Sequence, residues 1–197
     1  MRLRFLTPWL VGAFLVGGVL AALPRVRAAE GAAVPAPSAE LPATAWRTLS
    51  QPVDGFVVPL PGVPRATTQD ALTPIGGIAY HSFTLQAKDG VGYSVYWFDY
   101  PPWVLQLKTP AQLLQQAADW LVRTMDGRLT GQGTLTTGRV PGRWVSLSGP
   151  GQAVQARFYL SGARLYQVEA AVPSAVMAGP DVRIFLASFR LLRRTPG

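Results

Sequence analysis

Residues 77–100 read GIAYHSFTLQAKDGVGYSVYWFDY, and this stretch decides the fold of the chain. Apolar and polar side chains alternate along residues 77–87, a pattern that predicts a half-buried β-strand. Lys88-Asp89-Gly90 then predicts a hairpin turn. Residues 91–100 carry apolar side chains on both faces. We therefore expect a second, antiparallel strand that is covered on two sides.

Two helices are predicted after this hairpin. The first spans residues 109–125, where Thr109 and Gln112 form a Thr-x-x-Gln capping box and an apolar stripe follows at helical spacing. This stripe is interpreted as core packing. The second helix spans residues 180–188, where apolar side chains again recur at helical spacing.

Further strands are predicted at residues 55–62, 133–140, 143–148, 154–160, 164–172 and 189–192, with turns at Pro141-Gly142 and Ser161-Gly162-Ala163. Long hairpins favour a largely antiparallel sheet, and strands that are apolar on both faces favour cover by helices on both sides. The sequence therefore predicts an α/β (α+β) fold, in which a largely antiparallel sheet is sandwiched by helices.

A hydrophobic segment precedes this predicted fold. Nineteen residues without a charge, Phe5 to Leu23, are flanked by two arginines on each side. As a helix the segment would span about 28 Å, close to the hydrocarbon thickness of a bilayer. Residues 1–28 are therefore either a cleaved signal peptide or a single-span membrane anchor. The membrane-contact candidates are Phe5, Trp9, Phe14, Leu20 and Leu23.

The rest of the chain divides into three predicted parts. Residues 29–45 are rich in Ala and Pro and read as a linker, residues 46–193 form the globular domain, and residues 194–197 form a tail. The hydrophobic segment places this domain on the periplasmic side of a bacterial inner membrane. It is either anchored there or released after cleavage.

Composition excludes several classes of function. The formal net charge is +8, but removal of residues 1–28 takes away four arginines and no acid, which leaves 14 basic and 10 acidic residues. This balance is too mild to predict a nucleic-acid partner. The chain has no cysteine, which excludes disulfides, thiolate metal sites and thiol nucleophiles.

Four sequence pieces carry a resemblance to a known family. They are Gly55-Phe56-x-Val58-x-x-Pro61-x-x-Pro64, Tyr93-Ser94-Val95 with Asp99-Tyr100-Pro101, Arg157-Phe158-Tyr159-Leu160-x-Gly162-x-Arg164-Leu165-Tyr166, and Phe185-Leu186-x-Ser188-Phe189. Together they span about residues 46–193, and in these pieces the chain resembles the PsbP-like superfamily, as an exported bacterial member. The resemblance implies an antiparallel sheet between helices.

The resemblance also implies a domain without enzymatic activity. In plants and cyanobacteria, members of this superfamily are extrinsic subunits on the lumenal side of a photosystem, and other relatives are exported bacterial proteins. No metal-binding or partner-binding residue of the family can be matched to this chain. The matching positions are mainly core and turn residues.

The titratable residues do not form a catalytic motif. His81 is the chain's only histidine, lies on a predicted strand face beside Phe83 and Leu85, and is interpreted as a hydrogen-bonded core or edge histidine. The acids of the globular domain fall mainly in turns, at strand ends or at exposed helix positions. They are Asp54, Asp70, Asp89, Asp99, Asp119, Asp126, Glu169 and Asp181. We expect no catalytic residue, no metal and no cofactor.

The clearest contact candidates follow the aromatic strand. Five aromatic side chains lie within residues 96–103, and the strand runs into a Pro-Pro loop. Tyr100, Trp103 and Val104 are therefore candidates for contact with a partner, and packing of these side chains in the core is the other interpretation. A basic cluster at the C-terminus, Arg190, Arg193 and Arg194, is a second candidate for an acidic partner or anionic lipid, with a solvated tail as the alternative.

Two classes of function follow from these observations. The first is a non-catalytic, exported or membrane-tethered accessory domain that binds and stabilises a larger membrane protein assembly, by analogy a photosynthetic or respiratory complex. The alternative is a soluble periplasmic protein that binds a small ligand, or an enzyme of unknown reaction. An exposed apolar patch favours the first class, and a concave pocket with converging polar groups favours the second.

Overall fold

The structure is a computed structural model that describes residues 46–73, 75–174, 176 and 178–192. The strands in these residues are β1 (Arg47–Gln51), β2 (Phe56–Leu60), β3 (Arg65–Thr73), β4 (Gly76–Gln86), β5 (Gly92–Asp99), β6 (Arg128–Thr137), β7 (Val140–Gly149), β8 (Gln152–Ser161), β9 (Arg164–Pro173) and β10 (Arg190–Leu191). The helices are α1 (Pro102–Leu107), α2 (Pro110–Thr124) and α3 (Pro180–Ser188). The predicted leader, the linker and the tail lie outside the described residues.

Seven strands form one antiparallel sheet, in the order β3-β4-β5-β9-β8-β7-β6. Strands β3, β4 and β5 form one meander, and β6 to β9 form a second. The ladder between β5 and β9 joins the two meanders. A smaller antiparallel sheet contains β1, β2 and β10, with β2 in the middle.

The predicted hairpin is confirmed: β4 and β5 pair antiparallel from His81–Trp97 to Gln86–Gly92. The turn is closed by the Asp89 carboxylate, which accepts a hydrogen bond from the Val91 backbone N–H at 3.0 Å. Strand β9 occupies the centre of the large sheet and is buried along most of its length. This position explains why both faces of β9 carry buried apolar side chains, such as Leu165 and Tyr166.

The two faces of the large sheet are covered differently. One face, here called the helical face, packs against α1 and α2 through side chains such as Val104, Leu114 and Phe158. The other, here called the small-sheet face, packs against the three-stranded sheet and α3 through side chains such as Phe56 and Phe185. The predicted cover by helices on both sides is therefore only partly right, because a second sheet supplies much of one layer.

Helix α2 begins as its sequence predicts. The Thr109 hydroxyl accepts a hydrogen bond from the Gln112 backbone N–H at 3.3 Å, and the Gln112 side chain accepts one from the Thr109 backbone N–H at 2.8 Å. This reciprocal capping box satisfies two backbone donors at the helix start. The buried stripe of α2 faces strands β7 and β8.

One predicted turn is misplaced. The chain reverses between β6 and β7 at Gly138-Arg139, where Gly138 has a φ of 60° that favours glycine. Pro141 and Gly142 lie inside β7, in register with Thr136 and Leu135 of β6. Gly142 is required there because a side chain would come within 2.6 Å of the Phe158 carbonyl oxygen. The prediction mistook a glycine of close strand packing for a turn glycine.

Candidate functional site

Helix α1 presents an exposed apolar face directly after β5. Trp103 is 47% exposed and Leu107 is 72% exposed. Because they are four residues apart, their side chains lie on the same side of the helix. Val104, the next residue along the helix, is buried in the core. The helix is thus fixed to the core through Val104 and leaves an indole and a leucine exposed.

The burial of two predicted contact residues corrects the prediction. Tyr100 and Val104 are buried in the core cluster of the helical face, so they are not available to a partner. The Tyr100 ring packs edge-to-face on Phe98, with centroids 4.9 Å apart. The Tyr100 backbone N–H donates to the Ala163 carbonyl at 2.8 Å, which places the start of α1 beside the β8–β9 turn. Trp103 remains as the exposed member of this group.

Other exposed apolar side chains lie at the same end of the sheet. At His81 the pairing of β4 with β5 ends, but the pairing of β4 with β3 continues for five more residue pairs. Leu72 lies in this extension of the β3–β4 hairpin and is 91% exposed. The β1–β2 turn carries the exposed Val53 and also reaches this end, since its neighbour Asp54 contacts Arg164 at the start of β9. Val53, Leu72, Trp103 and Leu107 are called the apolar end below.

Arg190, the member of the predicted basic cluster that the structure describes, lies apart from Trp103. Arg190 is exposed and lies on β10 in the smaller sheet, whereas α1 lies on the helical face of the large sheet. The Arg190 guanidinium donates to the Ala187 carbonyl at 2.6 Å and to the Phe189 carbonyl at 3.1 Å. Arg193 and Arg194 lie outside the described residues. Of the contact candidates that the structure describes, Trp103 and Arg190 therefore lie on different surfaces.

The densest polar contacts surround Arg164 beside the apolar end. Its guanidinium donates to both carboxylate oxygens of Asp99 at 2.7 Å and to the Asp54 backbone carbonyl at 3.2 Å. The Trp97 indole N–H donates to the Asp54 carboxylate at 3.2 Å, and the Tyr166 hydroxyl donates to the Asp54 carbonyl at 2.6 Å. The hydrogen bonds with Asp99 raise the pKa of Arg164, which keeps the guanidinium charged. These contacts tie the β1–β2 turn to the large sheet and give the cluster a structural role.

Glu169 is an exception among the acids, which the sequence analysis assigns mainly to turns, strand ends or exposed helix positions. It lies in the middle of β9, is only 5% exposed, and its carboxylate accepts a hydrogen bond from the Gln167 amide at 2.6 Å. Burial raises the pKa of Glu169, and the Gln167 hydrogen bond offsets this partly. Tyr80 and Tyr96 stack nearby at 5.8 Å, and burial raises the pKa of Tyr96 to about 12. The carboxyl is thus surrounded by neutral groups.

We expect Glu169→Gln to remove a pH dependence of stability. The unfolded chain loses the Glu169 proton near its ordinary pKa of about 4.3, whereas the folded chain holds the proton to higher pH. Stability from this group is complete below the unfolded pKa and is lost as pH rises through the folded pKa. Gln has no such proton, so the variant should gain stability over the native chain as the pH rises above about 4.3, measured by urea unfolding.

Asp70→Asn is the matched control, because Asp70 is exposed on the edge strand β3. Its difference from the native chain should stay within about 0.5 kcal/mol over the same pH range. A Glu169→Gln chain whose difference in stability from the native chain does not change with pH would contradict the raised pKa of the buried Glu169 carboxyl.

His81 has the structural role that its strand position predicts. Its Nδ1 lies 3.0 Å from the Thr68 hydroxyl, and its ring stacks on Trp97 with centroids 5.1 Å apart. Within residues 46–192 as far as they are described, no group of three or more His, Asp or Glu side chains is placed to hold a metal ion. In the same residues, no helix is long and apolar enough to cross a membrane.

Comparison with known proteins identifies the fold. No protein-family model matches the chain, and no curated protein matches it. The solution structure of cyanobacterial PsbP (CyanoP) from Synechocystis sp. PCC 6803 is similar, with a TM-score of 0.52 and 10% sequence identity. The match covers 80% of this chain and 98% of the cyanobacterial chain. The chain therefore has a PsbP-like α+β fold.

Proposed function

We propose that this protein is a non-catalytic accessory domain that binds and stabilises a larger membrane protein assembly. The domain is exported and acts at the periplasmic side of a bacterial inner membrane, where residues 1–28 either anchor it or are removed. By analogy with the extrinsic photosystem subunits of the superfamily, the assembly is a photosynthetic or respiratory complex. The PsbP-like fold is consistent with this class of function.

One observation carries the proposal: the exposed indole of Trp103 on a helix that is fixed to the core. Monomeric proteins rarely collect large apolar side chains at one end of the molecule without using them for contact. Trp is also strongly favoured at the centre of interfaces, since it joins a large apolar area to an N–H donor. Leu107 lies one helical turn from Trp103, and Val53 and Leu72 are also exposed at this end of the sheet.

The surroundings of Trp103 suit presentation to a partner. Val104 anchors the helix in the core, and the Lys108 backbone N–H donates to the Val104 carbonyl at 3.1 Å. The Arg164 contacts hold the neighbouring β1–β2 turn. Little conformational entropy is then lost when a partner covers this end, because the backbone is already ordered.

We expect Trp103→Ala to reduce recovery of the assembly at least about tenfold, since central aromatic residues contribute most of the binding energy. The native and variant full-length chains are tagged, extracted in mild detergent and purified from their own cells. The membrane proteins recovered with each chain are quantified by mass spectrometry. The melting temperature of Trp103→Ala should change by only a few degrees, because half of the indole is already exposed.

Ile184→Ala is the matched control, because Ile184 is equally exposed at 47% but lies on α3. It should leave recovery of the assembly unchanged. Purification of the native chain as a lone monomer from both soluble and membrane fractions would overturn the proposal. Equal loss of partner proteins in the two variants would also overturn the role of Trp103. If Trp103→Ala unfolds, its indole is part of the core.

A further inference from the structure

A groove of about 490 Å³ lies on the small-sheet face of the large sheet, beside the C-terminal end of α3. Its floor contains two cross-strand pairs of β7 and β8, Ser146–Gln155 and Trp144–Arg157, together with Tyr159 of β8. The volume is in the range of small-ligand sites. The groove lies on the opposite face of the sheet from α1.

Two glycines open one side of this groove. Gly131 and Gly133 of β6 lie beneath the Trp144 indole, and a Cβ at Gly133 would come within 2.6 Å of the Trp144 Nε1 atom. The indole therefore lies against the bare backbone of β6. Trp144 as a whole residue is 37% exposed. Part of its flat apolar ring is therefore available for stacking.

Two guanidinium groups lie on the other side of the groove. Arg157 donates from Nη1 to the Leu186 carbonyl at 2.9 Å, and Arg190 donates from Nη1 to the Ala187 carbonyl at 2.6 Å. Because these carbonyls are consecutive in α3, the two cations are gathered at one helix end. Tyr159 stacks on Phe189 at 5.3 Å and fixes this wall of the groove.

Much of the donor capacity of these arginines is unused. A guanidinium carries five N–H donors, and in the described part of the chain Arg157 and Arg190 spend only those of Nη1 on protein acceptors. Neither forms a salt bridge there, and no Asp or Glu lines the groove. Capping of the helix carbonyls explains the position of the arginines, but no acidic side chain among the described residues pairs with their charge.

We propose that this groove binds a small organic anion, which places a flat ring against Trp144 and a carboxylate between Arg157 and Arg190. A planar carboxylate matches the fork of a guanidinium and accepts two hydrogen bonds from it. Ser146 and Gln155 supply further hydrogen-bonding groups along the floor. This binding activity goes beyond the accessory function and uses a different surface.

The experiment uses the full-length, ¹⁵N-labelled chain in a mild nonionic detergent. The indole N–H signal of Trp144 is assigned as the one that Trp144→Phe lacks. Sodium benzoate, which has both a ring and a carboxylate, is titrated at constant ionic strength. It should shift the Trp144 signal with a Kd of about 1 mM. Benzyl alcohol, which lacks the carboxylate, and acetate, which lacks the ring, should each bind at least about tenfold more weakly.

Arg190→Ala tests the cation, because Arg190 is exposed and its loss does not open the core. It should weaken benzoate binding about tenfold. Arg123→Ala, which removes an exposed arginine of α2, is the matched control and should bind as the native chain does. Gly133→Ala should weaken binding as well, because its methyl group displaces the indole into the groove.

Three results would overturn the proposal: no benzoate-dependent shift of the Trp144 signal, equal affinity for benzoate and benzyl alcohol, or equal affinity of Arg190→Ala and Arg123→Ala. Arg157→Gln extends the test where it remains folded, as judged by the spread of its amide signals. The proposal does not depend on that variant, because Arg190→Ala and Gly133→Ala test the cation and the ring separately.

Discussion

Replacing Phe56 with Ala is expected to lower the free energy of unfolding by about 3–5 kcal/mol. Phe56 lies on β2, is fully buried, and contacts aromatic rings from several other elements of the small-sheet face. These rings are Phe83 at 6.2 Å, Trp97 at 5.3 Å, Tyr166 at 6.1 Å and Phe189 at 5.8 Å. Ala leaves a cavity where the smaller sheet, the large sheet and the segment after α3 meet.

Urea unfolding followed by circular dichroism measures this loss. Phe56→Leu is the control, because leucine fills much of the volume but has no ring, and its loss should be clearly smaller. A loss below about 1 kcal/mol for Phe56→Ala would mean that the site collapses around the smaller side chain. Such a result would show that the Phe56 ring is not essential for the packing of the small sheet on the large sheet.

Replacing Arg164 with Ala is the second large effect, with an expected loss of about 3 kcal/mol. Arg164 is only 7% exposed, and its guanidinium contacts two carboxylates and one backbone carbonyl. Its removal takes the Arg164 cation away from the carboxylates of Asp54 and Asp99. Because these carboxylates are 28% and 47% exposed, water solvates them in part, and the loss lies at the lower end of the range for a broken buried pair.

Arg164→Lys separates charge from geometry. Lysine keeps the charge but cannot make the two parallel hydrogen bonds to Asp99, so we expect an intermediate loss. Arg123→Ala, on the surface of α2, should change stability by less than about 0.5 kcal/mol. Equal stability of Arg164→Ala and Arg123→Ala in urea unfolding would contradict the structural role of the cluster. Thermal unfolding gives an independent check on the same three variants.

Local structure was predictable from the sequence because the residues that determine it are neighbours in the chain. The capping box of Thr109 and Gln112 fixed the start of α2, and Lys88-Asp89-Gly90 fixed the turn between β4 and β5. Helix α3 has the predicted bounds. The β8–β9 hairpin also follows its predicted turn, at which Gly162 has a φ of 60°.

Contacts between distant residues were not predictable in the same way. Arg164 is separated in sequence by 65 residues from Asp99 and by 110 residues from Asp54. No short sequence motif could therefore predict that these three side chains form a cluster. Strand β3 has few buried side chains, since it lies at an edge of the sheet, and the alternation that identifies a strand is weak there. One feature of the sequence could have indicated the burial of Glu169. A charged residue in the middle of a strand with apolar side chains on both faces is a candidate for burial.

The exposure of a contact candidate was easier to predict where it depends on local helix geometry than where it depends on packing, and contact of Trp103 with a partner stays a prediction. Trp103 follows the strand and lies on the open side of α1, whereas Val104 points inwards one residue later. Tyr100 is buried because the β8–β9 turn and Phe98 pack around it. The groove around Trp144 was missed, since it depends on the glycines of the neighbouring strand.

The ladder between β5 and β9 also has a consequence for synthesis on the ribosome. The meander β3-β4-β5 emerges first, but the outer edge of β5 finds its partner only after Arg164, 65 residues beyond Asp99, has been made. At ordinary translation speed this interval lasts roughly 3–13 s. During that time an aromatic strand with unpaired backbone groups is open to wrong strand pairing. The order of the strands thus leaves the outer edge of β5 unpaired until β9 has been made.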